Sequence, residues 1–137
     1  MTERIKKNSR KMFVAGFAVS LSVLAVMMAF SQKQQPQAPP RELVLVAKEM
    51  VFRDTAQPNL INPTLVLKRS QPVKLVVRNE EPGPVLHCFI IGGLEVKTSH
   101  SLSPGESEAL AFTPSQKGRF AYACLMHPGM SGRILVE

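Results

Sequence analysis

Three side chains near the end of the chain could hold a metal ion between them. In the run YACLMHPGMSG, from Tyr122 to Gly132, Cys124, His127 and Met130 follow the spacing C-x-x-H-x-x-M. A thiolate, an imidazole and a thioether thus lie in one short loop, and Pro128 and Gly129 supply the bend that turns successive ligands toward one point. A soft thiolate, two imidazole nitrogens and a distant thioether form the trigonal ligand set of a one-electron copper centre. The loop offers one imidazole, so a second has to come from elsewhere, and only His87 and His100 remain. His87 opens the apolar run HCFII after the turn-rich EEPGP, where a strand can deliver an imidazole to one end of a β-fold. His100 stands among Thr, Ser and Lys and reads as solvent-exposed. The expected ligands are therefore His87, Cys124, His127 and Met130, with one copper ion as the cofactor.

Such a centre needs a rigid frame, and the sequence spells a β-frame. Beyond residue 40 no convincing amphipathic helix occurs; short β-type runs recur, bounded by Pro, Gly, Asn and Ser. Strands are expected at Leu43–Ala47, Thr64–Lys68, Val73–Asn79, Leu86–Ile91, Glu108–Thr113, Gly118–Cys124 and Gly132–Val136. Val73, Leu75 and Val77 fall on one face with Lys74 and Arg78 on the other, and Phe120, Tyr122 and Cys124 oppose Arg119, Ala121 and Ala123. Ser103-Pro104-Gly105-Glu106 reads as a tight turn. The segment from Val51 to Pro63 reads as irregular. About seven short strands at this spacing make an all-β sandwich or barrel.

Charge and hydropathy divide the chain. Of the formal net charge of +7, Arg4, Lys6, Lys7, Arg10 and Lys11 against Glu3 contribute +4, and Lys33 adds one. From Arg41 onward eleven Lys and Arg face nine Asp and Glu, a net of +2. A nucleic-acid-binding fold carries its basic patch on the fold itself, so no nucleic-acid partner is expected. Residues 1–11 read as a basic cytoplasmic leader. Residues 12–30 form an uncharged run that spans roughly 28 Å as a helix, near the thickness of a bilayer core. The basic leader before it sends the following chain outward. The run is longer than a usual signal-peptide core, which favours a transmembrane signal anchor; a cleaved signal peptide is the alternative. Residues 31–40, rich in Gln and Pro, read as a solvated tether, and residues 41–137 as the folded domain.

In this frame the chain from about Leu43 to Glu137 resembles the cupredoxins. The ending GRFAYACLMHPGMSGRILVE is similar to their last two strands and copper loop. VKLVVRNEEPGPVLHCFII resembles their strand, loop and first histidine ligand, and LSPGES followed by ALAFTP follows the same pattern. The loop spacing resembles that of amicyanin and other small bacterial cupredoxins. The resemblance implies an eight-stranded Greek-key β-sandwich with copper near one end. His87 and His127 would bind through nitrogen, Cys124 as thiolate and Met130 as a weak axial ligand. Around His127 it implies an apolar patch of Pro84, Leu125, Met126, Pro128 and Gly129. In place of the Asn or small hydroxyl residue common after the first ligand stands Cys88. The family fold would set it beside Cys124, where its N–H could donate to the ligand sulfur and a disulfide would destroy the copper site.

Competing readings explain less. A structural disulfide between the two cysteines suits an exported domain but leaves the spacing of His127 and Met130 as coincidence. Structural zinc prefers four Cys or His ligands, and no hydrolase motif such as G-x-S-x-G or H-E-x-x-H is present. Three histidines are too few for a multicopper enzyme. The expected function is single-electron transfer by a monomeric domain on the outer, periplasmic or extracellular, side of the cytoplasmic membrane. The chain is expected to be a carrier, not an enzyme. Its expected partners are redox proteins such as a c-type cytochrome, an oxidase or a dehydrogenase. The alternatives are Cu(I) handling, suggested by the extra soft groups Cys88 and Met126, and a copper-free accessory domain.

Overall fold

The computed structural model describes residues 38–137; the leader, the apolar run of residues 12–30 and the tether as far as residue 37 lie outside them. Nine strands follow in order: β1 Arg41–Lys48, β2 Val51–Asp54, β3 Thr64–Leu67, β4 Val73–Asn79, β5 Ile90–Ile91, β6 Val96–Lys97, β7 Ser107–Phe112, β8 Gly118–Ala123 and β9 Ser131–Val136. They form two sheets, ordered β2-β1-β4-β7 and β3-β9-β8-β5-β6. β1 with β4, and β3 with β9, run parallel; the other pairs are antiparallel. The all-β sandwich expected from the sequence is present, with nine strands in place of the eight that the resemblance implies, two of them (β5 and β6) only two residues long. Among the described residues no helix is long and apolar enough to cross a membrane.

Alternation decides which face each strand buries. Val73, Leu75 and Val77 of β4 point inward and Lys74 and Arg78 outward. Leu45 of β1, Phe89, Leu102, Tyr122 and Ile134 complete the core with no more than 1 % of their surface exposed. At its centre Phe52 meets Phe89 and Tyr122 edge-on at 5.5 and 5.6 Å, while Phe89 and Tyr122 stack at 5.4 Å. The Tyr122 hydroxyl donates to the carbonyl of Pro63 at 2.7 Å. Gly132 lies opposite Tyr122 in the β8–β9 ladder, and any Cβ there would collide with the phenol. The chain thus needs glycine at this point to admit a large ring.

Two local expectations are corrected. Val51–Pro63 is not irregular throughout: it begins with β2, joined to β1 by a two-residue turn in which Glu49 and Met50 take φ of 56° and 61°. That is the left-handed geometry hairpins prefer, normally written with Asn or Gly. The sequence carries no such signal, and Glu81 supplies the missing support by accepting the Met50 N–H at 2.7 Å. Leu86–Ile91 is not a continuous strand. The N–H of Cys88 points to a sulfur and that of Phe89 to the Thr98 hydroxyl, so only Ile90 and Ile91 keep a ladder with β8.

Candidate metal centre

His87 reaches the site from an arm rather than a strand. Asn79 ends β4 on the inward-facing phase of the alternation and is fully buried. Its side-chain amide donates to the carbonyls of Val85 at 2.8 Å and Leu102 at 2.9 Å, while its oxygen accepts the Glu81 N–H at 3.0 Å. Pro82, Gly83 and Pro84 then turn the chain back, and His87 exchanges backbone hydrogen bonds with Leu102 at 3.1 and 2.7 Å. The turn that carries Ser103 to Glu106 has Gly105 at φ 84° and closes with the Glu106 N–H on the Ser103 carbonyl, as its residues require.

The His87 ring is buried entirely, which disfavours its charged form and lowers its pKa. Nε2 lies 3.3 Å from a Glu81 carboxylate oxygen whose side chain is 7 % exposed. Although burial pushes the Glu81 carboxyl up, the N–H groups of Met50 and Glu49 and the His87 ring hold it below the usual carboxylate value. An ionised Glu81 accepts a hydrogen bond from Nε2–H, so the neutral ring keeps its lone pair on Nδ1. That nitrogen is buried and has no hydrogen-bond partner.

The loop after β8 presents the other two donors. Its backbone closes on itself: the Cys124 N–H donates to the Met130 carbonyl at 2.9 Å, the Met130 N–H to His127 at 3.2 Å and the His127 N–H to Cys124 at 3.4 Å. Gly129 takes φ 87°, and its carbonyl accepts the Asn62 side-chain amide at 3.2 Å. His127 Nδ1 stands 3.4 Å from Cys124 Sγ, and the two imidazole rings are 4.8 Å apart. Burial raises the Cys124 thiol pKa, and the N–H groups of Cys88 and Met126 oppose that rise without cancelling it. A cation beside the sulfur would reverse the balance.

The ligand atoms of His87, Cys124 and His127 lie within 4.8 Å of one another. Three donors around one ion, each at about 2.0–2.3 Å, need this kind of clustering. A buried nitrogen without a proton or a partner normally costs free energy, and a metal ion would satisfy it. The three residues therefore fit a metal ion. Met130 is buried at the base of the same loop. His100 stays outside: it is half-exposed and paired with Glu106 at 2.7 Å, as its polar neighbours suggest. The Cys88 N–H donates to Cys124 Sγ at 3.4 Å, and both cysteines are free thiols. Beside His127 in the loop, Leu125 is 74 % exposed, and Met126, Pro128 and Gly129 are exposed with it; Pro84 is exposed as well.

Sequence reading missed Asn62, Asn79 and Glu81, which hold the site without being expected ligands. Asn79 did leave a signal, a polar residue continuing the inward phase of Val73, Leu75 and Val77. Glu81 and Asn62 left none, because each acts across long sequence separations.

The chain is similar in fold to several solved structures. Dithionite-reduced auracyanin from the photosynthetic bacterium Roseiflexus castenholzii aligns with a TM-score of 0.56 at 15% identity, over 73% of this chain and 99% of that one. Rusticyanin from Thiobacillus ferrooxidans gives 0.60 at 19%, over 85% and 93%. The 2F4 variant of the multicopper oxidase McoA from the hyperthermophile Aquifex aeolicus gives 0.58 at 17%, over 74% of this chain but 27% of its own length. At such identities the likeness shows the fold. No curated protein gives a significant sequence match. The cupredoxin-like domain family matches residues 20–136, nearly the whole folded region and part of the apolar run before it, and the chain belongs to that family.

Proposed function

We propose that the chain carries single electrons through one copper ion bound by His87, Cys124, His127 and Met130. The observation that carries this reading is the buried, unpartnered Nδ1 of His87 in the same cluster as a thiol and a second imidazole. Bound there, copper supplies a one-electron couple between Cu(I) and Cu(II). The protein's part is to hold the donors still. Glu81 fixes the His87 ring and Leu102 its backbone, and the self-closed loop fixes Cys124 and His127, so little ligand movement accompanies a change of charge. Met130 is assigned the weak axial position and the C-x-x-H-x-x-M loop the short amicyanin type. The reduced state of auracyanin and the description of rusticyanin as a copper protein support a redox role.

The exposed Leu125, Met126 and Pro128 beside His127 offer a surface for a redox partner such as a c-type cytochrome, an oxidase or a dehydrogenase. In this reading residues 12–30 anchor the domain at the outer face of the cytoplasmic membrane, and the chain is a carrier rather than an enzyme. Addition of one equivalent of Cu(II) to the full-length chain tests the proposal. An intense thiolate-to-copper absorption that bleaches on reduction and returns on oxidation is expected; a colourless protein with two free thiols would refute it.

A second reading has its own observation. Cys88 Sγ lies 3.6 Å from Cys124 Sγ, adding a soft donor next to the ligand set. Rapid transfer of Cu(I) to a metal-free acceptor would favour copper handling, and retention against a moderate chelator would favour electron transfer.

A further inference from the structure

Cys88 has no place in the ligand set, yet its surroundings are specific. Its Sγ is in van der Waals contact with Cys124 Sγ at 3.6 Å and accepts the Leu125 N–H at 3.2 Å. Its own N–H donates to Cys124 Sγ at 3.4 Å. The Cys88 backbone thus lies against the Cys124 side chain, and two sulfurs already in contact reach bonding distance by rotation of the side chains.

The two sulfurs differ in access. Cys124 is buried, whereas Cys88 is partly exposed and lines a surface cavity of about 210 Å³ together with Lys97, His100 and Leu125. We infer that Cys88 and Cys124 form an oxidisable dithiol, with Cys88 the attacking thiol and Cys124 the resolving one. The oxidant is an external disulfide, RS–SR. The Cys88 thiolate attacks one of its sulfurs, making a mixed disulfide and releasing the first RS⁻. The Cys124 thiolate then attacks the Cys88 sulfur, forming the internal bond and releasing the second RS⁻. The two protons lost by the cysteines convert the released thiolates to RSH, and the external disulfide is reduced by two electrons. Lys97 beside the cavity favours an anionic disulfide.

The consequence is mutual exclusion. Sulfur bonded to Cys88 has no thiolate to offer a metal, and sulfur bound to a metal cannot resolve a mixed disulfide. That consequence rests on the copper site proposed above; the dithiol itself does not.

Oxidised glutathione added to the metal-free full-length chain is the test. Expected are loss of both thiols, an intact mass lower by two hydrogens, and a proteolytic fragment linking the Cys88 and Cys124 peptides. Cu(II) uptake by that species should fall to nothing and recover with a dithiol reductant. Cys88→Ser should keep its copper uptake through the same treatment. The wild-type chain loaded with copper beforehand should form no internal disulfide, because Cys124 is held by the metal. Persistence of two free thiols, accumulation of a stable glutathione adduct on Cys88, or equal loss of uptake in Cys88→Ser would overturn the inference. If the internal disulfide forms but the reduced chain takes up no copper, the dithiol stands and the copper proposal falls.

Discussion

The loop from Cys124 to Met130 and the arm from Asn79 to Phe89 meet at one site but are held in opposite ways. The loop closes through its own backbone, with three hydrogen bonds among Cys124, His127 and Met130. The arm is tied to distant parts of the chain: Asn79 to Leu102, Glu81 to Met50, His87 to Leu102 and Phe89 to Thr98. Two donors thus sit on a compact loop whose Leu125, Met126 and Pro128 are exposed, while the third is fixed in the core. The difference assigns separate tasks. In the proposed site the loop supplies Cys124 and His127, and the arm holds His87 in place before any metal arrives.

Substitution should separate these tasks, and the largest effect belongs to the loop. Cys124→Ser removes the thiolate while keeping shape, so the thiolate-to-copper absorption should vanish. The metal-free chain should lose only about 1 kcal/mol in denaturant melts. A large loss of stability would mean that the loop also carries the fold, and the contrast would break. Asn79→Ala should do the reverse. It leaves the buried carbonyls of Val85 and Leu102 without the amide that reached them, at a cost of about 2–4 kcal/mol, while every proposed ligand remains. Copper should still bind, with a broadened electron paramagnetic resonance spectrum as the mark of a loosened His87.

Glu81→Gln sharpens the comparison by removing charge without removing shape. One carboxylate oxygen accepts from the Met50 N–H and lies against His87 Nε2, and an amide oxygen in its place can take both bonds but without the charge. The expected stability loss is about 1 kcal/mol. The negative charge behind His87 favours the more positive metal state, so its removal should raise the midpoint potential measured by redox titration. An unchanged potential would show that the arm only positions the ring.

The sequence made the loop legible and the arm largely illegible, for a physical reason. Cys124, His127 and Met130 are close in space because they are close along the chain, and the Pro128-Gly129 bend is written beside them. Strands β4, β7, β8 and β9 were legible for the same local reason, since alternation repeats every second residue. The arm obeys no period. His87 stands out from His100 by its place between a turn and an apolar run, yet the strand expected around it dissolved because side chains of Cys124 and Thr98 take its amide protons. The β1–β2 turn was hidden likewise, as Glu49 and Met50 hold left-handed geometry with support from Glu81, thirty-one residues beyond Met50. The segment of residues 12–30, plain as an apolar run, lies outside the described residues.

The smallest expected effect sets His87 against His100, the buried and the exposed imidazole. Burial lowers the pKa of His87, with His127 adding to the effect and Glu81 opposing it. The unfolded chain therefore takes up this proton near the ordinary value of 6.5 while the folded protein resists it. His87's share of stability is present above 6.5 and is lost as pH falls toward the lowered folded value. His100 is raised by its hydrogen bond to Glu106, with Glu108 adding to the effect. Its share is present below 6.5 and is lost as pH rises through the raised value, and solvent screening keeps it small. Glu81 adds stability that is lost only below the ordinary carboxyl value of 4.5, outside this window. Thermal melts of the metal-free chain from pH 7 to pH 5 should therefore fall in Tm. The fall should steepen slightly in His100→Asn, where the opposing share is gone. In His87→Phe it should flatten, because no buried imidazole remains to be charged. A fall that steepens in His87→Phe would show that the buried ring is not what couples the arm to pH.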